Sequence, residues 1–185
     1  MKANMLKAYL EKIHIPDVFV VPSLSFKPKE AMNQLIEMVE TYQASNSDSS
    51  LCFIGSSLGG YYATWLAEKY ESRVVLINPA VNINDLFKRY LGNNHNSYTG
   101  EDYCLTMNHV HDLETFNVDT ITQVDRYLLM LQTGDEVLNY KHALDKYVGA
   151  PSIVEEGGDH GFAEFERHQE TILAFCGINC LKKYA

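Results

Sequence analysis

The segment Gly55-Ser56-Ser57-Leu58-Gly59 matches G-x-S-x-G, a pattern that is typical of a nucleophilic serine. An apolar, strand-like run precedes the motif and a helix-like run follows it, which is the context that this chemistry requires. Glycines two positions before and two after the serine let neighbouring backbone pass close by without a Cβ clash, while the serine itself is held in a strained turn. The sequence therefore predicts Ser57 as a nucleophile, with Gly55 and Gly59 as the glycines of its turn.

Leu58 follows the serine at the predicted start of a helix. The first N–H groups of a helix have no partner within that helix, and they lie at the positive end of its dipole. We therefore predict the Leu58 N–H as an oxyanion donor. The alternative, a Gly/Ser turn without chemistry, stays open because the motif is short. A nucleotide-binding loop fits less well, since the chain has neither G-x-x-x-x-G-K-[ST] nor G-x-G-x-x-G.

A serine nucleophile needs a base, and the base needs a carboxylate that fixes its tautomer. Asp135 follows a predicted strand in Thr-Gly-Asp-Glu, and His160 follows another in Gly-Gly-Asp-His-Gly-Phe. Both therefore lie at the carboxyl ends of strands, in the order Ser, Asp, His. Glu136 and Asp159 are rival carboxylates, and we favour Asp135 because it comes directly after the glycine turn.

Apolar runs alternate with segments of helical spacing along most of the chain, a pattern typical of a parallel sheet covered by helices. The chain is expected to form a single domain over residues 1–185. The predicted strands are Asp17–Pro22, Leu51–Gly55, Arg73–Ile77, Tyr127–Gln132 and Ser152–Glu155. The predicted helices are Lys29–Tyr42, Leu58–Tyr70, Tyr140–Val148 and Ala163–Phe175.

The connection over residues 81–122 is long, rich in Asn, Asp and Tyr, and has only short helical patches such as Asp85–Leu91. Connections of this length are usually functional or mobile. Open α/β sheets bind ligands at the carboxyl ends of their strands, so we expect this segment to be a cap or mobile element over such a site.

Composition excludes several classes of protein. The formal net charge of −9 argues against nucleic-acid binding, which needs clustered Lys and Arg. No stretch approaches the roughly 20 apolar residues of a membrane span, and the N-terminus lacks signal-peptide features, so a cytoplasmic location is expected. The pair His109 and His111 is a weak metal motif without a third ligand segment, and we expect neither metal nor cofactor.

The four cysteines, Cys52, Cys104, Cys176 and Cys180, form no C-x-x-C pair and are interpreted as reduced thiols. The last two are four residues apart, so on a helix they would share a face.

At these residues the sequence resembles the YqiA-like bacterial esterases of the α/β-hydrolase superfamily, over nearly the whole chain. The segments that carry the resemblance are Ile54–Lys69, Asn78–Val81, Tyr98–Gly100, Gln132–Tyr140 and Glu155–Phe162. The resemblance implies a three-layer α/β-hydrolase fold with a mostly parallel sheet and cleavage of short acyl esters, with acyl-CoA thioesters as another candidate substrate. It also implies Ser57 as nucleophile, Asp135 as acid and His160 as base.

The chain departs from the family at its start. Family members open with a hydrophobic strand ending in His-Gly-Phe, whose loop supplies the second oxyanion N–H. This chain opens with Met1-Lys2-Ala3-Asn4, which resembles the first helix instead. We therefore expect a sheet that lacks the family's first strand and half of the oxyanion hole, and our hypothesis is that the natural N-terminus is missing.

These observations favour a cofactor-free serine esterase that acts on a small acyl-ester substrate. The alternative, from another class, is a non-catalytic protein of the hydrolase fold that binds a ligand or a partner. The departure at the N-terminus favours the alternative, and the complete Ser, Asp, His set argues against it.

Overall fold

The architecture comes from a computed structural model, which describes residues 2–47, 50–83, 87, 90–95 and 100–178. Six α-helices are described: α1 (Lys2–Lys12), α2 (Pro28–Ser45), α3 (Leu58–Lys69), α4 (Met107–Glu114), α5 (Tyr140–Lys146) and α6 (Gln169–Phe175). Six strands are described: β1 (Cys52–Ser57), β2 (Arg73–Pro79), β3 (Gly92–His95), β4 (Asp102–Leu105), β5 (Tyr127–Gln132) and β6 (Ser152–Glu155).

Four of the strands form a parallel sheet in the order β1-β2-β5-β6. The four correspond to predicted strands, and the limits of β5 and β6 match the prediction residue for residue. Because every strand of this sheet runs the same way, the loops after β1, β2, β5 and β6 all lie at one edge. The predicted α/β class with a mostly parallel sheet is confirmed.

Helices cover both faces of the sheet because β2 and β5 are apolar on both sides. Val75, Ile77 and Met130 pack against α1 and α6 on one face. Val74 and Leu76 pack against α3 and α5 on the other. The result is the expected three-layer arrangement, with α2 and α4 packed against α3 at its margin.

The predicted buried strand at Asp17–Pro22 is wrong. Residues Pro16–Val18 form a short 3₁₀-helix, and the chain that follows is extended but pairs with no strand. Val18 and Val20 are 54% and 68% exposed. A strand exists only where a neighbour accepts its backbone hydrogen bonds. Among the described residues, β1 pairs with β2 alone in this sheet, so no described strand lies beside β1 on its other side.

The predicted helix Ala163–Phe175 begins later than expected. Phe162 and Glu164 have left-handed backbone conformations, and a 3₁₀-turn over Phe165–His168 precedes α6. Tertiary contacts explain the later start of the helix. The backbone N–H and C=O of Ala163 are hydrogen-bonded to the Gln132 side chain rather than within a helix.

Within the segment 81–122 lie the antiparallel hairpin β3–β4 and helix α4. The predicted helical patch Asp85–Leu91 lies largely outside the described residues, as do Tyr98 and Cys180. A capping role for this segment stays a prediction. Among the helices within the described ranges, none combines the length and apolar character that a membrane crossing requires.

The turn from β1 into α3 depends on a close approach at Gly55. A Cβ placed on Gly55 would lie 2.3 Å from the Gly59 carbonyl oxygen and 2.7 Å from the Ala63 Cβ. A Cβ on Gly59 would meet nothing within 4 Å. A close approach of neighbouring backbone was predicted to require glycine at both positions. The structure shows such an approach at Gly55 and not at Gly59.

We predict that Gly55→Ala lowers the thermal unfolding midpoint by roughly 5–10 °C, because the added methyl group overpacks a contact with backbone atoms. The matched control is Gly59→Ala, for which we expect no loss and a rise of up to about 3 °C, since Ala is the better helix former. Differential scanning fluorimetry of both variants measures the effect. Equal midpoints for the two variants would contradict this account of the turn.

Candidate functional site

Ser57 lies at the carboxyl end of β1, immediately before α3, in a strained conformation. Its φ and ψ are 54° and −123°, a region that residues with a side chain rarely adopt. The ladder between β1 and β2 shifts register at this point, where Ser57 pairs with Pro79, and the Ala80 N–H donates to the Ser57 carbonyl oxygen at 3.0 Å. These contacts hold the hydroxyl at the edge where the strands end.

The structure brings Ser57, His160 and Asp135 together although 103 residues separate the first two. The Ser57 Oγ lies 3.0 Å from the His160 Nε2, and the His160 Nδ1 lies 2.8 Å and 3.0 Å from the two Asp135 carboxylate oxygens. The Asp135 side chain is 2% exposed and the His160 side chain 22% exposed. The three groups thus form a continuous chain of hydrogen bonds from a buried carboxylate to a hydroxyl near the surface.

Three donors keep the Asp135 carboxyl ionised. Burial alone would raise its pKa, but the hydrogen bond with His160 and those from the Leu138 and Val137 N–H groups outweigh burial, so the pKa lies below its ordinary value. A carboxylate at Nδ1 places the proton of the neutral ring on Nδ1, so the Nε2 lone pair faces Ser57. The ring is therefore oriented to accept the hydroxyl proton.

The rival carboxylates have other contacts. The Glu136 carboxylate accepts a hydrogen bond from the His160 backbone N–H at 3.0 Å, so it fixes the main chain of the histidine rather than the ring. The backbone of Asp159 is held by two side chains, because its N–H donates to Gln132 and its C=O accepts from Asn78. The structure thus places Asp135, and neither rival, at the His160 ring.

Two buried amides, Asn78 and Gln132, hold the loop that carries His160. The Gln132 Oε1 accepts from the backbone N–H groups of Asp159 and Ala163, and its Nε2 donates to Glu155 and to the Ala163 carbonyl oxygen. The Asn78 Nδ2 donates to the carbonyl oxygens of Asp159 and His160, while its Oδ1 accepts from the Gln132 N–H. Both residues are 2% exposed. Every side-chain oxygen and nitrogen of the two amides has a hydrogen-bond partner.

Neither amide was predicted to have a role, although both lie in segments that carry the family resemblance. One sequence feature could have indicated both amides: each is a polar residue at the carboxyl end of an otherwise apolar strand. Gly158 is a second signal. It has a φ of +72°, and a Cβ there would lie 2.0 Å from the Gln132 Oε1. Lys2 was also missed: its ammonium donates to the Gly161 carbonyl oxygen at 2.9 Å.

The other predicted groups lie as follows. Leu58 begins α3, so its N–H is one of the four that have no partner within the helix.

His109 and His111, the weak metal motif, lie on α4. There the His109 ring accepts from the Thr106 N–H at the start of the helix, and the His111 ring contacts Glu114. These contacts account for both rings as structural groups of the helix.

Two solved structures resemble the chain in fold. The esterase domain of a Rhodothermus marinus protein superposes with a TM-score of 0.60 at 15% identity, covering 95% of this chain and 79% of that one. An alpha-beta serine hydrolase homologue from Coxiella burnetii superposes with a TM-score of 0.56 at 12% identity, covering 92% and 76%. At these identities the likeness shows the fold alone, and that fold is the predicted α/β-hydrolase fold.

Sequence comparison gives the family. The UPF0227 protein YcfP of Escherichia coli O9:H4 (strain HS) is 28% identical over 163 residues, which cover 86% of this chain and 83% of that protein. The profile of UPF0227, described as an uncharacterised protein family, matches residues 1–177. The resemblance predicted from the sequence is confirmed. The chain belongs to the UPF0227 family.

Proposed function

We propose that the protein is a serine hydrolase that cleaves short acyl esters. The observation that carries the proposal is the unbroken chain of hydrogen bonds from Asp135 through His160 to Ser57 at the carboxyl edge of the sheet. A buried carboxylate, an imidazole and a hydroxyl in this order form the arrangement that activates a serine for acyl transfer.

The reaction follows from the geometry. The Ser57 Oγ attacks the acyl carbonyl carbon while the His160 Nε2, 3.0 Å away, accepts the hydroxyl proton. The buried Asp135 carboxylate stabilises the imidazolium that forms. His160 then donates the proton to the leaving oxygen or sulfur. Water then attacks the carbonyl carbon of the acyl-enzyme while the His160 Nε2 accepts its proton. His160 returns that proton to the Ser57 Oγ as the bond to the acyl group breaks and the acid leaves.

The Leu58 N–H is the proposed donor to the oxyanion, because it lies next to the nucleophile at the positive end of α3. Loss of one of two such donors typically lowers the rate by about 10²–10³. If the Leu58 N–H is the only donor, we therefore expect turnover to be slow and best with activated esters.

The substrate class is proposed from the same site and from the resemblance. Short p-nitrophenyl esters and short acyl-CoA thioesters both present an activated acyl group. The esterase domain from Rhodothermus marinus, which shares the fold, is consistent with the ester class.

We expect Ser57→Ala to reduce hydrolysis of p-nitrophenyl acetate and butyrate to the uncatalysed background, because the attacking oxygen is removed. Ser56→Ala, which changes the adjacent serine, is the matched control and should keep most of the activity. Acetyl-CoA and butyryl-CoA, assayed with the same variants, determine whether thioesters are also cleaved.

A fluorophosphonate probe tests the alternative function directly. An activated serine is labelled in the wild type and in Ser56→Ala but not in Ser57→Ala. Absence of labelling and of ester hydrolysis in the folded wild type would favour a non-catalytic binding protein.

Asp135→Asn should lower kcat by about 10³–10⁴, because an amide favours the wrong tautomer of His160 and does not stabilise its cation. Glu136→Gln keeps an acceptor for the His160 N–H and should lower kcat by less than tenfold. Comparison of kcat for the two variants by steady-state kinetics shows which of the two carboxylates, Asp135 or Glu136, orients the His160 ring. Similar losses in both would contradict the role given to Asp135.

The difference in stability between the wild type and Asp135→Asn is also predicted to depend on pH. Because the pKa of Asp135 in the folded protein lies below its ordinary value of about 3.9, its charge stabilises the fold above that pH. This stability is lost as the pH falls through the folded-state pKa. The wild type should therefore be more stable than the variant at pH 7, and the difference in thermal midpoint should shrink below about pH 4.

Gln132→Met should lower kcat by roughly 10²-fold with little change in KM, because the loop that carries His160 loses its three hydrogen bonds to the amide and shifts. Gln169→Met is the matched control. Gln169 is also buried, and its amide donates to the Met5 carbonyl oxygen away from the site. Both variants should be less stable, but only Gln132→Met should lose activity; equal kcat losses would mean that the amide acts through stability alone.

A further inference from the structure

Two cysteines far apart in the sequence meet at the end of the sheet opposite the proposed site. Cys52 is the first residue of β1, and Cys176 is the C-cap of α6. Their sulfur atoms lie 2.6 Å apart although 124 positions separate them in the chain. Both residues are half-buried and therefore lie near the surface of the protein. Neither residue takes part in the proposed hydrolysis.

We propose that Cys52 and Cys176 are a redox-active thiol pair, which a low-molecular-weight disulfide such as oxidised glutathione converts reversibly into an intramolecular disulfide. The bond ties the last described helix to the strand that carries Ser57. The inference does not depend on the proposed function.

The backbone at Cys176 is fixed by the way in which α6 ends. Cys176 is the C-cap of α6, and the helix ends in a Schellman arrangement: the Ile178 N–H donates to the Leu173 carbonyl oxygen, the Gly177 N–H donates to that of Ala174, and Gly177 is left-handed at φ 85°. The two sulfur atoms are in direct contact, and a disulfide joins sulfur atoms about 2.05 Å apart.

Neighbouring contacts keep the two ends together in the reduced protein. Cys52 pairs in register with Arg73 at the start of β2. The Arg73 guanidinium donates to the Phe175 carbonyl oxygen at 3.1 Å, one residue before Cys176. Cys52 and Cys176 also pack against the buried cluster that contains Ile172 and Leu173 of α6. The disulfide would therefore form without displacing either element.

The exchange proceeds in two balanced steps. One cysteine thiolate attacks a sulfur of the external disulfide and displaces one glutathione thiolate, which leaves a mixed disulfide. The other cysteine thiolate attacks the protein sulfur of that mixed disulfide and displaces the second glutathione thiolate. The two cysteines lose two electrons, which reduce the glutathione disulfide, and their two protons go to the released thiolates.

The test is to equilibrate the full chain in mixtures of reduced and oxidised glutathione, block the remaining thiols with N-ethylmaleimide, and map the peptides without reduction. We expect a Cys52–Cys176 linked peptide and an intact protein that carries two N-ethylmaleimide groups, on Cys104 and Cys180, where the fully reduced protein carries four. We also expect a thermal midpoint about 5–15 °C above that of the reduced protein, since the bond closes a long loop.

Cys52→Ser and Cys176→Ser should each abolish the linked peptide and the rise in midpoint, and Cys104→Ser should keep both. Cys180→Ser addresses the competing pair, because Cys180 is four residues from Cys176 in the sequence; the linked peptide should persist in this variant. A Cys176–Cys180 bond in the wild type, or no intramolecular bond in the most oxidising mixture, would overturn the proposal.

Discussion

The arrangement of the site depends on one constraint, which is that residue 55 is a glycine and has no side chain. Because the Gly59 carbonyl oxygen occupies the space where a Cβ would lie, α3 can start directly against the end of β1. At this junction Ser57 is the N-cap of α3 and has a left-handed conformation, so the nucleophile lies next to the N-terminus of the helix. The strain, of order 1–3 kcal/mol for such a residue, is offset by the packing of α3 on the apolar faces of β2 and β5.

The histidine is positioned by a different kind of interaction. Its loop has little regular structure, and several of its residues have left-handed backbone conformations. Order comes from side chains of neighbouring strand ends: Asn78 from β2, Gln132 from β5 and Glu136 from the loop after β5. A buried amide whose donors and acceptors are all satisfied permits few alternative arrangements, since any shift of the loop leaves polar groups without partners. The nucleophile is thus positioned by backbone geometry, and the base by a network of amides.

Local patterns in the sequence were sufficient for some of these features and not for others. The motif around Ser57 and the order of Asp135 and His160 predicted three side chains that the structure brings within hydrogen-bonding distance, while their catalytic roles stay predictions. Gln132 could not be found in this way, because its partners are 23 to 31 positions away and its own segment is otherwise an ordinary apolar strand. The error at Asp17–Pro22 has the same origin: an apolar run becomes a strand only if another strand lies beside it, which no local pattern reveals.

The position of β1 in the sheet has one more consequence. Residues along a parallel strand direct their backbone groups alternately to the two sides, and among the described strands β1 has a neighbour on the β2 side alone. Backbone amides of β1 that face away from β2 therefore lack the ladder that protects those of β2 and β5 on both sides. Hydrogen–deuterium exchange along β1 should accordingly alternate: every second backbone amide exchanges fast, and the amides between them, which bond to β2, exchange slowly.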